Sequence, residues 1–145
     1  MKPADVLRCS EMTSKRLLSL GAILEAGAGL ALIFQPALVV RFLLGADLSE
    51  PGFALARVAG FGLLSLGLAC WPRREVTLPA LRAMLAYNLL AALYFAYLRL
   101  GGELVGRFLL PAIVLHAVLA LLFARTWFTG DQDNWSSTRS APPTA

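Results

Sequence analysis

The chain has 145 residues, 58% of them hydrophobic and only 15% charged, with a formal net charge of +4 and a mean hydropathy of +0.68. A water-soluble domain holds roughly half apolar and a quarter charged residues, so this composition excludes an ordinary soluble fold and points to lipid as the surrounding medium. The basic balance does not indicate nucleic acid, because Lys and Arg are scattered between apolar blocks rather than gathered on one face.

A membrane-spanning helix takes about 20 mostly apolar residues, and four segments come close to that length. Residues 1–16 carry Lys2, Arg8, Lys15 and Arg16 and read as a cytoplasmic N-terminal segment. The first span, "LLSLGAILEAGAGLALIF", runs from Leu17 to Phe34 and stops at Gln35-Pro36. Lys15-Arg16 ahead of an apolar run could open a signal peptide, but a carboxylate lies inside the run and three more apolar segments follow, which favours a retained span. Next comes "PALVVRFLLG", apolar but too short to cross. It is predicted as a short interfacial helix at the outer surface, ended by Asp47, Glu50 and Pro51-Gly52, with a re-entrant segment as the alternative.

The second span is Ala54 to Trp71, ended by Pro72-Arg73-Arg74. The third is Leu78 to Leu98, where Pro79 falls in the first turn and needs no N–H partner. The short, Gly-rich connection "RLGGELVGR" makes spans three and four an antiparallel hairpin. The fourth span is Phe108 to Phe128, ended by Gly130-Asp131. Residues 129–145 are polar and rich in Pro, Ser and Thr, and read as a disordered cytoplasmic tail, so Asn134-Trp135-Ser136 is an accidental match to a glycosylation acceptor. The expectation is an all-α polytopic membrane four-helix bundle over residues 17–128, with a short interfacial helix between spans one and two.

Orientation follows from the cations. One side holds Lys2, Arg8, Lys15, Arg16, Arg73, Arg74, Arg82, Arg125 and Arg139; the other holds Arg41, Arg57, Arg99 and Arg107. This asymmetry places both termini in the cytoplasm, with Trp71, Trp127 and Phe128 at the cytoplasmic interface.

The chemistry-bearing residues are few. Cys9 and Cys70 are far apart and read as isolated reduced thiols, and a single histidine with two separated cysteines makes no metal site. No nucleophile–base pair or glycine-rich phosphate loop occurs, so neither enzymatic activity nor a cofactor or metal is expected. The expected partners are the lipid bilayer and, beyond it, another membrane subunit or a second copy of the chain.

What stands out is polarity inside the spans. Glu25 is near the middle of the first, Asn88 of the third and His116 of the fourth. Around Glu25, at three- and four-residue steps, lie Gly21, Ala22, Ala28 and Gly29, all small, whereas Leu20, Ile23, Leu24, Leu30 and Phe34 form the lipid-facing side. Asn88 shares its face with Ala91 and Ala92, and His116 lies between Ala112 and Ala120. Arg57 opens the second span roughly 8 Å above the centre, within side-chain reach of Glu25, with an interfacial arginine turned to the headgroups as the alternative. Tyr87 and Tyr94 flank Asn88 and can offer hydroxyls to a cavity, or pack; Tyr97 reads as an interface anchor.

Glu25, Arg57, Asn88, His116, Tyr87 and Tyr94 are therefore the candidates for a ligand or proton site. The competing view is a structural polar layer that fixes helix register, worth on the order of 1 kcal/mol per interhelical hydrogen bond. Against it, an acidic group at a helix centre costs roughly 2.5–3.5 kcal/mol to insert, which makes it a functional candidate by default.

Two stretches, "RVAGFGLLSLGLACW" and "AYNLLAALYFAYL", resemble the small DoxX-like bacterial membrane proteins. The resemblance covers the membrane core and implies four helices, a short outer segment after the first span and an arginine opening the second. Some members of that family are accessory subunits of quinone-linked oxidoreductases, and the resemblance implies an accessory or small-ligand-binding role without catalytic residues. The alternative is a proton-coupled small-molecule exporter: "GAILE" resembles the first helix of small multidrug exporters, whose glutamate couples protons, a role that would fall to Glu25. The chain departs from that family in lacking the aromatic pattern its second helix places around the site, and in its extra outer segment, His116 and long tail.

Overall fold

The computed structural model describes residues 3–71, 77–102 and 106–139. They form five helices and no strand: α1 (Pro3–Phe34), α2 (Pro36–Leu44), α3 (Glu50–Ala69), α4 (Leu78–Gly101) and α5 (Leu109–Arg139). Four contain a stretch long and apolar enough to cross a bilayer: Ser14–Phe34, Glu50–Ala69, Leu78–Gly101 and Leu109–Phe128. The fold is thus a membrane helix bundle with a short helix between the first two spans, as the hydropathy pattern predicts. The first and last helices continue beyond their apolar stretches, α1 back to Pro3 and α5 on to Arg139. Arg73 and Arg74, residues 103–105 of the other connection and the last six residues of the tail lie outside the described residues.

Local chemistry sets the helix ends. Pro36 sits at the start of α2, where its missing N–H is no loss. Gly45 closes α2 at φ 74°, a left-handed conformation that favours glycine, and its N–H bonds the Arg41 carbonyl at 2.9 Å. Here the reading from sequence needs correction, since Glu50, Pro51 and Gly52 do not end the short helix. They begin α3, with Ser49 ahead of it, because a proline and a carboxylate both suit a first helical turn.

The helices pair as α1 with α3 and α4 with α5. In the first pair the backbones touch. A β-carbon added at Gly29 would lie 2.6 Å from the Leu64 nitrogen, and one at Gly67 would lie 2.6 Å from the Ala22 oxygen. Small residues permit this approach, and dispersion over the close seam holds membrane helices together where no hydrophobic effect separates them from lipid.

The two pairs join through one core at the end that carries the start of α1. Leu18 and Ala22 of α1, Cys70 after α3, Leu81 and Met84 of α4, and Leu119 and Phe123 of α5 are buried together there. At the same end the Arg82 guanidinium lies 4.8 Å over the Trp127 ring, which stacks on Phe128. Leu20, Ile23, Leu30 and Phe34 are exposed, consistent with a lipid-facing side of α1. Leu24 differs: it is half-buried and faces the interior.

Candidate functional site

Beyond the core, towards the α2 end, the pairs part. A cavity of about 650 Å³ lies between them, within the size range of small-molecule sites. Its walls are apolar: Ala28, Ala31 and Leu32 of α1, Leu63 of α3, Phe95 of α4, and Ala112, Leu115 and Leu119 of α5. Leu38, Val39, Phe42 and Leu43 of α2 contribute to the wall from the far end.

That short helix is fastened to the start of α5. The Phe108 N–H donates to the Phe42 carbonyl at 3.0 Å, and the two rings meet edge to face with centroids 5.8 Å apart. Gly106 fits closely against the Leu43 backbone, where no β-carbon could be placed.

The polar lining is Glu25, Tyr87 and His116 at the inner end and Gln35 beside the start of α2. Glu25 is 2% exposed and hydrogen-bonds the Tyr87 hydroxyl, which bridges α1 to α4. Asn88 is fully buried behind the wall. Its Nδ2 donates to the Met84 carbonyl at 2.9 Å, and its Oδ1 lies 2.9 Å from His116 Nδ1. Aromatic rings frame the imidazole, Tyr87 at 5.8 Å edge-on and Phe95 at 5.6 Å tilted.

Four of the six sequence candidates are therefore brought together, as two hydrogen-bonded sets that meet where Tyr87 touches His116. The other two are not. Arg57 is exposed, and no ion pair joins it to Glu25 among the described residues. A long guanidinium near the end of a span can reach the polar headgroups, which accords with that exposure. Tyr94 is 60% exposed and stacks on Tyr97 rather than lining the cavity.

Phe95, Phe42 and Phe108 shape the site and were not legible as site residues, since an aromatic in an apolar helix carries no mark of what it faces. Among the described residues no group of three His, Cys, Asp or Glu side chains is placed to hold a metal ion.

Comparison with family models, characterised proteins and solved structures gives no match.

Proposed function

We propose that this chain is a bacterial inner-membrane protein with both termini cytoplasmic that binds a small lipophilic molecule between its two helix pairs. It would serve as a binding or accessory component, with another membrane subunit or a second copy as partner. The observation that carries this reading is the cavity, with apolar walls and with Glu25, Tyr87 and His116 at its inner end. A polar layer that only fixed helix register would be packed over. Here ionisable groups that are costly to insert border unfilled space, which favours a ligand. The accessory role takes up the DoxX-like resemblance, and the orientation takes up the distribution of Lys and Arg.

The test of binding is displacement of a fluorescent apolar amphiphile from the protein in lipid nanodiscs. Ala112→Trp and Ala31→Phe, which would fill the cavity, should each weaken binding about tenfold or more; unchanged binding in both would remove the reading. Orientation is tested separately. A cysteine introduced in the tail of a Cys9→Ser, Cys70→Ser background should resist an impermeant maleimide added from the periplasmic side.

Proton-coupled export through Glu25 is the second reading, favoured by the place of that carboxyl on the cavity wall. It requires ligand addition to release a proton that is lost in Glu25→Gln. Equal release in both proteins would end it.

A further inference from the structure

The polar groups of the cavity differ in what they have left to offer a ligand. The Asn88 amide is oriented by its neighbours, because Nδ2 donates to the Met84 carbonyl and Oδ1 must then face His116. The reverse orientation would set two oxygens against each other. An amide oxygen can only accept, so His116 Nδ1 carries a hydrogen and donates it. In the neutral ring that leaves Nε2 with a bare lone pair.

No group among the described residues bonds Nε2. Nor is any buried side-chain polar atom among them left without a partner, so Nε2 is not sealed in. It is an open acceptor on a residue that lines the cavity. The Tyr87 hydroxyl is committed in turn to Glu25. At the inner end the hydrogens of Asn88 and of His116 Nδ1 are thus used internally, and His116 Nε2 presents a lone pair to the cavity.

We propose that the cavity selects an apolar molecule whose polar end is a hydrogen-bond donor, a hydroxyl or an amine. His116 Nε2 receives that hydrogen. The proposal rests on the ligand-binding reading above and adds the chemical class of the ligand. A ligand whose polar end only accepts, such as an ether or ester, meets lone pair against lone pair and leaves Nε2 unpaired. Desolvating an acceptor without replacing its partner is what makes such discrimination steep.

The chain has a single histidine, so protein labelled with 15N-histidine reports this one ring. In nanodiscs the free protein should show a neutral imidazole protonated at Nδ1. Titration with 4-heptylphenol or 4-heptylaniline should shift the Nε2 resonance and saturate. 4-Heptylanisole, with the hydroxyl hydrogen replaced by methyl, should bind about tenfold more weakly, as loss of one hydrogen bond predicts, and leave Nε2 in place.

In His116→Phe the phenol and the anisole should bind alike; a variant that still discriminates overturns the assignment. So does a free protein in which Nε2 carries hydrogen, or equal affinity for phenol and anisole with Nε2 unmoved. Equal affinity would leave a lipophile-binding cavity intact, whereas failure of all three compounds to bind would remove the ligand-binding reading as well.

Discussion

A methyl group added at Gly67 tests the backbone contact between α1 and α3. The new β-carbon would lie 2.6 Å from the Ala22 oxygen and 2.8 Å from the Ala26 nitrogen, while ordinary contact begins at 3.4 Å. The neighbours are backbone atoms and cannot rotate away, so the helices must part locally by about 0.8 Å, 3.4 Å less 2.6 Å. A gap of that size forfeits a quarter to a half of each dispersion contact, itself about 0.1–0.2 kcal/mol. Over roughly 40 atom pairs along the seam, the loss is about 2 kcal/mol. Alanine is the better helix former by about 1 kcal/mol, which leaves Gly67→Ala destabilised by about 1 kcal/mol.

Gly62, on the same helix, supplies the control. No atom lies within 4 Å of a β-carbon there, so Gly62→Ala should gain up to about 1 kcal/mol from propensity alone. Gly29 and Gly27 repeat the contrast on α1: a β-carbon at Gly29 falls 2.6 Å from the Leu64 nitrogen, and at Gly27 it meets nothing. Reversible unfolding in mixed dodecyl maltoside and SDS micelles, followed by circular dichroism, should separate each pair by about 2 kcal/mol with opposite signs. Equal stability of Gly67→Ala and Gly62→Ala would refute the close seam.

Two further substitutions probe the polar residues. Asn88→Leu removes the oxygen that accepts from His116 Nδ1, so the single imidazole should lose its Nδ1–H preference in the 15N spectrum; an unchanged tautomer would show that Asn88 does not set it. Tyr87→Phe removes the hydroxyl bonded to Glu25 and should cost about 1 kcal/mol in the same unfolding assay. In a double-mutant cycle with Glu25→Ala that cost should largely vanish, whereas full additivity would mean the two groups do not interact.

Much of the architecture was legible because lipid imposes length and hydropathy on every span. All four spans and the short helix could be read directly. Pairing was harder. A polar side chain shows its helix face through its small neighbours, but not which polar group it will meet. Reach and charge left Arg57 open as a partner for Glu25 or for the headgroups, whereas Tyr87 is the group beside the carboxyl. The hydroxyl needs no countercharge desolvated beside it, while the arginine gains more from headgroups and water. Helical period also put Leu24 on the lipid side, a reading that fails where a helix borders a cavity as well as lipid.

The level of the polar groups follows from how α1 divides its surface. Ala22, Ala26, Gly29 and Ile33 form the stripe against α3. Leu18, Gly21, Glu25, Ala28 and Leu32 form a second stripe, turned towards α4 and α5. Below Glu25 this second stripe meets bulk, for Leu18 packs in the core with Met84 and Phe123, and those two side chains crowd Gly21. Above Glu25 it turns to Ala28 and Leu32, opposite Ala112 and Leu115, and the space stays open. The same change occurs along α5, from Phe123 and Leu119 to His116 and Ala112. Glu25, Tyr87 and His116 thus occupy the floor of the cavity, at the depth where close packing ends. A carboxyl placed one turn nearer the core would be sealed in apolar packing with no room for a ligand. One turn farther, it would sit among the small residues of the wall, away from the His116 ring that Asn88 and Tyr87 hold in place.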